Sequence, residues 1–150
     1  MYGQLFEQYL SLEPGKRDRA ISARTLNYIG VIKRVFGDNA GALDYVQRGL
    51  RLAEEAGDKK ILSIVLNTMG VLHRDQSNYA RALEYFEKSL ALSEALNDKV
   101  LTSQTLNNIG TVHGTQGNHA QALEYFQRAL KLGQAADDKT MMANALNNLN

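Results

Sequence analysis

The stretch "TLNNIGTVH", residues 105 to 113, combines apolar residues at helical spacing with two adjacent amides and a central glycine. It returns as "TLNYIGVIK" from Thr25, "VLNTMGVLH" from Val65 and "ALNNLN" from Ala145, so a Leu-Asn pair recurs at a constant step, at 26/27, 66/67, 106/107 and 146/147. Residues 59 to 98 and 99 to 138 align without a gap and share 18 of 40 positions. Repetition at a period of roughly 20 to 50 residues is typical of solenoids and propellers. We therefore expect an array of repeats rather than one compact domain.

The composition indicates a folded chain with nearly balanced charge. Of its 150 residues, 44% are hydrophobic and 22% are charged, which argues against disorder. Lysine and arginine number 17 and aspartate and glutamate 16, so the basic surface that nucleic-acid binding needs is missing. Without cysteine, the chain can form neither disulfides nor thiolate metal sites. No apolar run approaches the roughly 18 residues of a membrane span, and no signal peptide precedes the repeats, so we expect a cytoplasmic protein without a membrane partner.

Each repeat predicts two helices. Residues 59 to 76 and residues 79 to 96 both place apolar side chains at steps of three and four, which is the helical period. Between them, Ser77 is suited to close the first helix and Asn78 to cap the second. The turns "GDK", "NDK" and "DDK" from residues 57, 97 and 137 lead back to the next repeat. Turns this short make neighbouring helices antiparallel.

Small residues recur where two helices are expected to approach closely. In the first helix of each repeat they are Gly30, Gly70 and Gly110, and in the second helix Ala42, Ala82 and Ala122. Glycine inside a helix costs about 1 kcal/mol relative to alanine, so its recurrence at one register predicts a backbone contact that offsets this cost. The residues expected to fill the space, four positions after each alanine, are Val46, Phe86 and Phe126.

This pattern resembles the tetratricopeptide repeat. The residues that carry the resemblance, with counterparts in the neighbouring repeats, are Leu66, Met69, Gly70, Ala82, Phe86 and Ser89. The resemblance implies an all-α fold, a right-handed α-solenoid of antiparallel helix pairs, and a non-enzymatic role in binding proteins. Units of about 40 residues, longer than the usual 34 or so, resemble those of cell-polarity adaptors and bacterial signalling proteins. Two features depart from the family: its usual tyrosine is replaced by Lys33, His73 and His113, and its usual proline by Glu54, Glu94 and Gln134.

The period also predicts the boundaries of the repeats. We expect a single array over residues 1 to 150, made of a second helix alone (1 to 16), three repeats (19 to 58, 59 to 98 and 99 to 138) and a truncated first helix (139 to 150). Neither end carries a polar capping helix, so we interpret the chain as a fragment of a longer protein. Apolar residues left uncovered at the ends would favour end-to-end association of copies into a homo-oligomer.

The recurring asparagines are the main candidates for ligand binding. In tetratricopeptide arrays the first helices line a concave groove, and helical geometry predicts a ladder of asparagines along its floor: Asn27, Asn67, Asn107 and Asn147. The residues expected to select the ligand are Val31, Val71, Thr111, Arg24, Arg34 and Arg74. Amides both donate and accept, so they suit a peptide backbone of any sequence, and we expect the groove to bind an extended peptide or a helix of a protein partner. The arginines favour an acidic partner, because guanidinium groups bind carboxylates through paired hydrogen bonds.

The alternative is that the asparagines bridge helices within the array, since buried amides normally find a partner. The chain would then be a structural spacer or self-assembly segment of a larger signalling or scaffold protein. We favour groove binding, because polar groups on a concave surface usually orient a ligand.

Catalytic and metal-binding patterns are missing from the sequence. His73 and His113 lie one repeat apart, with about 10 Å of helix spacing between them and no third ligand, so we expect them to pack rather than to bind metal. No phosphate-binding glycine loop or nucleophile elbow occurs. The predicted groove also lacks the aromatic residues on which nucleic-acid bases stack. We therefore expect no enzyme activity, no cofactor, no metal and no nucleic-acid partner.

Overall fold

The computed structural model describes residues 16 to 150, together with Gln4. In this part of the chain the helices are α1 (Lys16–Val35), α2 (Asn39–Ala56), α3 (Lys59–Asp75), α4 (Tyr79–Ala95), α5 (Lys99–Thr115), α6 (His119–Ala136) and α7 (Lys139–Leu149). No residue from 16 to 150 belongs to a strand, and no helix of this stretch is both long and apolar enough to cross a bilayer. The second helix predicted for residues 1 to 16 lies outside the described residues, apart from Gln4 and Lys16.

The turns between the helices use the left-handed backbone conformation that the sequence predicts. The residues with positive φ, between +50° and +82°, are Gly37, Gly57, Ser77, Asn97, Gly117 and Asp137. At the turns that lead into α3 and α5, the carboxylates of Asp58 and Asp98 then accept the backbone N–H of the third helical residue, each at 3.0 Å. Asn78 and Asn118 do lie at N-cap positions, but their side chains form no capping hydrogen bond.

The helices stack as antiparallel pairs into a solenoid, which confirms the predicted all-α class. Each helix packs on the next one in sequence, and the first helices of neighbouring pairs (α1, α3, α5 and α7) also approach one another within 8 Å between Cα atoms. The second helices (α2, α4 and α6) show no such approach. The first helices therefore form the inner layer of the array and the second helices the outer layer.

The core runs along the array between these two layers. Within it, Leu26, Leu66 and Leu106 of the recurring Leu-Asn pairs are 0%, 6% and 1% exposed. Because consecutive residues of a helix point about 100° apart, the asparagine that follows each leucine is turned away from the outer layer. At 66/67 and 106/107 the recurring dipeptide thus supplies both the core and the polar inner wall, whereas Asn27 is itself buried.

The separation of the two helices in a pair is set by contact between a glycine and a bulky side chain. A Cβ atom added to Gly70 would lie 2.4 Å from Cε1 of Phe86, and one added to Gly110 would lie 2.6 Å from Cε1 of Phe126. In the first pair, the same addition to Gly30 would lie 2.3 Å from Cγ2 of Val46. The predicted close approach of small and large residues is therefore confirmed.

This contact predicts opposite effects for two alanine substitutions in α5. Gly110→Ala should lower the free energy of unfolding by about 1 to 2 kcal/mol, because overpacking against Phe126 costs more than the helix propensity gained. Gly114→Ala is the matched control, since its Cβ would lie 3.8 Å from that of Ala122, an ordinary contact. It should leave stability unchanged or raise it by up to about 1 kcal/mol. Urea denaturation measures both, and equal effects would contradict the steric explanation.

Candidate functional site

The four recurring asparagines lie on the first helices but in different environments. Asn27 on α1 is only 5% exposed. Asn67 on α3 and Asn107 on α5 are half-buried, and Asn147 on α7 is exposed. The structure therefore brings the last three to the surface of the inner layer, whereas Asn27 is enclosed.

An open cavity of about 410 Å³ on this layer is lined entirely by amide side chains: Asn67, Gln104, Asn107, Asn108, Asn144, Asn147 and Asn148. We call it the amide cavity. Three predicted residues meet there, and sequence reasoning missed Gln104 and Asn144. They precede Asn107 and Asn147 by three residues, which places them on the same helical face. That spacing was a usable signal. No charged side chain contributes to the lining.

Asn67 is held by the neighbouring repeat. Its Oδ1 accepts hydrogen bonds from Nδ2 of Asn108 at 3.1 Å and from the hydroxyl of Thr105 at 3.3 Å, both on α5. At this position the asparagine bridges α3 to α5, as in the internal alternative. Only its Nδ2 is left for a ligand.

Asn107 has no such bridge, because its side chain forms no hydrogen bond within residues 16 to 150. Its Oδ1 is buried without a partner, while its Nδ2 is not among the buried unpaired atoms. An unpaired buried acceptor costs roughly 1 to 3 kcal/mol. The buried oxygen of Asn107 therefore carries a cost that a hydrogen-bond donor would relieve.

The predicted arginines lie outside the amide cavity, and two of them share one carboxylate. Arg34 donates from Nε to Oδ2 of Asp75. Arg74 contacts Oδ1 of Asp75 at 3.4 Å and donates to Oδ1 of Asn108 at 3.2 Å. Arg24 lies over the ring of Tyr28, with 5.6 Å between guanidinium carbon and ring centroid. Sequence reasoning missed Asp75, which does not recur in the other repeats.

The remaining predicted residues, Val31, Val71 and Thr111, are half-buried and do not line the amide cavity. Val71 packs against the cluster that contains Ala82. The Thr111 hydroxyl donates to the backbone carbonyl of Asn107 at 2.9 Å. The structure thus groups the amides together and separates them from these apolar and hydroxyl side chains.

His73 and His113 each stack on the tyrosine of their own repeat. The ring centroids of His73 and Tyr85 are 5.3 Å apart with 4° between the planes, and those of His113 and Tyr125 are 5.5 Å apart with 13°. His73 is 5% exposed, and neither of its nitrogens has a hydrogen-bond partner. Burial lowers the pKa of His73 below its usual 6.5, and the positive charge of Arg81 lowers the pKa further.

The sequence profile of the tetratricopeptide repeat matches residues 21–95, 61–135 and 101–149. No curated protein sequence matches the chain.

Among solved structures, the chain is similar to aspartyl phosphate phosphatase F from Bacillus subtilis. The two share 21% identity at a TM-score of 0.75, over 79% of this chain and 31% of that one. BtubC (BKLC) from P. vanneervenii matches 99% of this chain and 61% of its own, at 15% identity and a TM-score of 0.84. The N-terminal domain of stress-induced protein-1 (STI-1) from C. elegans matches 88% of this chain and 98% of its own, at 14% identity and a TM-score of 0.65. The chain thus spans less than two thirds of the first two, and these likenesses show the fold.

The burial of His73 predicts that stability falls with acidity. Above a pH of about 6.5 the imidazole is neutral in both states, but below it the unfolded chain binds the proton more readily than the folded one. The free energy of unfolding should therefore decrease as the pH falls below about 6.5, and this decrease should be smaller in His73→Phe. Denaturation measured at pH values above and below about 6.5 tests this prediction. The control is His119→Gln, which changes a histidine at an exposed position. Equal pH dependence in wild type and His73→Phe would disprove the assignment.

Proposed function

The chain belongs to the tetratricopeptide repeat family, and we propose that it is a protein-interaction module whose inner layer binds an extended segment of a partner protein. The observation that carries this proposal is the amide cavity, in which side chains from three successive first helices converge without any charged residue. Amides orient peptide groups, and in this lining Asn107 and Asn147 form no side-chain hydrogen bond within residues 16 to 150.

The dimensions of the repeat suit an extended peptide. Neighbouring helices pack about 8 to 10 Å apart, and an extended chain rises about 3.3 Å per residue. Successive first helices would therefore meet every second or third residue of the ligand. Each amide can donate to a carbonyl or accept from an N–H of the peptide backbone. At about 0.5 to 1.5 kcal/mol net per hydrogen bond, several such contacts are needed to hold the segment.

The internal hydrogen bonds determine which amide side chains remain available to a ligand. Asn67 contributes less than predicted, since Thr105 and Asn108 already occupy its oxygen. Asn107 and Asn147, whose side chains form no hydrogen bond within the described part of the chain, are the stronger candidates. Ligand binding and internal bridging thus coexist in one row of asparagines.

An acidic partner remains part of the proposal, in a weaker form. Arg34 and Arg74 bring two positive charges and Asp75 one negative charge, so this cluster keeps a net charge of +1. A carboxylate flanking the bound segment would be attracted to it, in competition with Asp75. The amide cavity itself has no charge with which to select for acidity.

Self-assembly is a second candidate role, favoured by exposed apolar residues on or next to the first and last described helices. Ile32 on α1 is 56% exposed, Phe36 in the turn after α1 is 83% exposed, and Leu146 on α7 is 47% exposed. The counterparts of Ile32 in the next repeats, Leu72 and Val112, are 2% and 0% exposed because the preceding second helix covers them. A second copy of the chain could cover Ile32 in the same manner.

The proposed groove predicts different outcomes for two asparagine substitutions. Asn107→Ala should weaken binding of a peptide by about tenfold while leaving stability unchanged or slightly higher, because an unpaired oxygen is removed. Asn67→Ala should lower the free energy of unfolding by about 1 kcal/mol, because it breaks two inter-repeat hydrogen bonds. Peptides selected by phage display on the unmodified chain provide the ligand for fluorescence anisotropy. The control is Asn118→Ala, which removes an asparagine outside the cavity. If this variant weakened peptide binding as much as Asn107→Ala does, the proposal of groove binding would be refuted.

Self-assembly predicts a mass that depends on concentration. Multi-angle light scattering should show association as the chain is concentrated, and Ile32→Glu should shift the equilibrium towards the monomer by placing a charge in the contact. A matched control is Glu87→Gln, on an exposed position of α4. A strictly monomeric mass at high concentration would exclude this second role.

A further inference from the structure

The outer layer carries two cavities at equivalent positions of neighbouring repeats. The first, of about 460 Å³, lies between α4 and α6 above α5; we call it the α5 cavity. Its lining includes Glu94, Thr102, Leu106, Arg128, Lys131 and Leu132. The second, of about 470 Å³, lies between α2 and α4 above α3 and is called the α3 cavity. Its lining includes the equivalent residues of the preceding repeat: Glu54, Leu62, Leu66, Lys88, Ala91 and Leu92.

Both cavities have an apolar interior. In the α5 cavity, Leu106 forms the floor and Leu132 and Ala135 form one wall. A neighbouring depression shares Asn97 and Lys99 with it and adds Leu96 and Val100, which are 39% and 48% exposed. The apolar surface therefore extends beyond the cavity along the turn between α4 and α5. No residue lines both the α5 cavity and the amide cavity.

The two cavities differ in charge. Lys99, Arg128 and Lys131 line the α5 cavity against the single carboxylate of Glu94, a net charge of +2. Arg128 contacts Glu94 at 3.4 Å, whereas Lys99 and Lys131 are exposed and form no ion pair with any residue from 16 to 150. The α3 cavity is lined by one cation, Lys88, and one carboxylate, Glu54, a net charge of zero. Alanine replaces Lys131 there, and the counterpart of Lys99, Lys59, does not line this cavity.

We propose that the α5 cavity is a second docking site, which takes an acidic segment of a protein partner and inserts one bulky apolar side chain of that segment between α4 and α6. The volume lies within the roughly 300 to 1,000 Å³ of typical ligand pockets, and an apolar interior with few polar groups is typical of them. A groove between two helices accepts an apolar side chain from a short helix or turn. The unpaired lysines attract carboxylates on either side of it and disfavour basic or neutral segments. This site is independent of the proposed function of the amide cavity.

The test uses the hexapeptide acetyl-Glu-Glu-Leu-Phe-Glu-Glu-amide, titrated into the ¹⁵N-labelled chain and followed by two-dimensional NMR. The backbone amide signals of Leu106 and Leu132 should shift with saturation, while those of Leu66 and Leu92 in the α3 cavity stay in place. A peptide with lysine for each glutamate, and one with alanine for leucine and phenylalanine, should each cause shifts several-fold smaller.

Two charge variants complete the experiment. Lys131→Glu should weaken binding of the acidic peptide about tenfold. Ala91→Lys should create binding of this peptide at the α3 cavity, seen as shifts of the Leu66 and Leu92 signals. Both positions are exposed on outer helices, so the spectra should retain the folded dispersion. Three results would each overturn the proposal: equal shifts at the two cavities of the unmodified chain, binding of the basic peptide as tight as that of the acidic one, or no effect of Lys131→Glu. Shifts confined to the amide cavity would overturn it without affecting the proposed function.

Discussion

The contact between a glycine of the first helix and a bulky residue of the second is the constraint on which the solenoid depends. Gly70 lies against the ring of Phe86 and Gly110 against that of Phe126, so close that neither glycine has room for a Cβ atom. This contact sets the separation of the helices in each pair. Because every pair is built alike, the pairs stack with a constant offset, and equivalent residues form rows along the array. The amide cavity and the two outer cavities are consequences of those rows.

Most of the fold could be predicted from the sequence, because the residues that determine it recur from repeat to repeat. Three features repeat along the chain: the period, the positions of glycine and phenylalanine, and the left-handed turns. Each feature recurs because every repeat must meet the same requirements of helix packing and chain reversal. The candidate site was only partly predictable. The row of asparagines was visible as a repeat, but Asp75 corresponds to Val35 and Thr115, so its pairing with two arginines could not be inferred from periodicity.

The polar contacts between repeats show why similar asparagines differ in role. From Arg34 on α1, hydrogen bonds pass through Asp75 and Arg74 to Asn108 on α5, which in turn donates to Asn67 on α3. This network orders one side of the inner layer and occupies the oxygen of Asn67. It does not reach the side chain of Asn107, and Asn147 is further away on α7. Amides fixed by internal hydrogen bonds therefore lie beside amides that have no such partner. The fixed amides maintain the shape of the cavity, and the unpaired ones remain available to a ligand.

Helix α5 separates the two proposed sites by the width of a single helix. Leu106 forms the floor of the α5 cavity, and the next residue, Asn107, lines the amide cavity on the opposite side. A helix packed on both faces cannot move towards one ligand without changing its distance from the other, since interiors are too densely packed to absorb the shift locally. If a ligand in either cavity displaces α5, the free energies of the two binding events are coupled, and by thermodynamic linkage each ligand then affects the other equally. The sign of that coupling follows from whether the two ligands favour the same position of α5, because a ligand shifts an equilibrium only by its differential affinity for the two states.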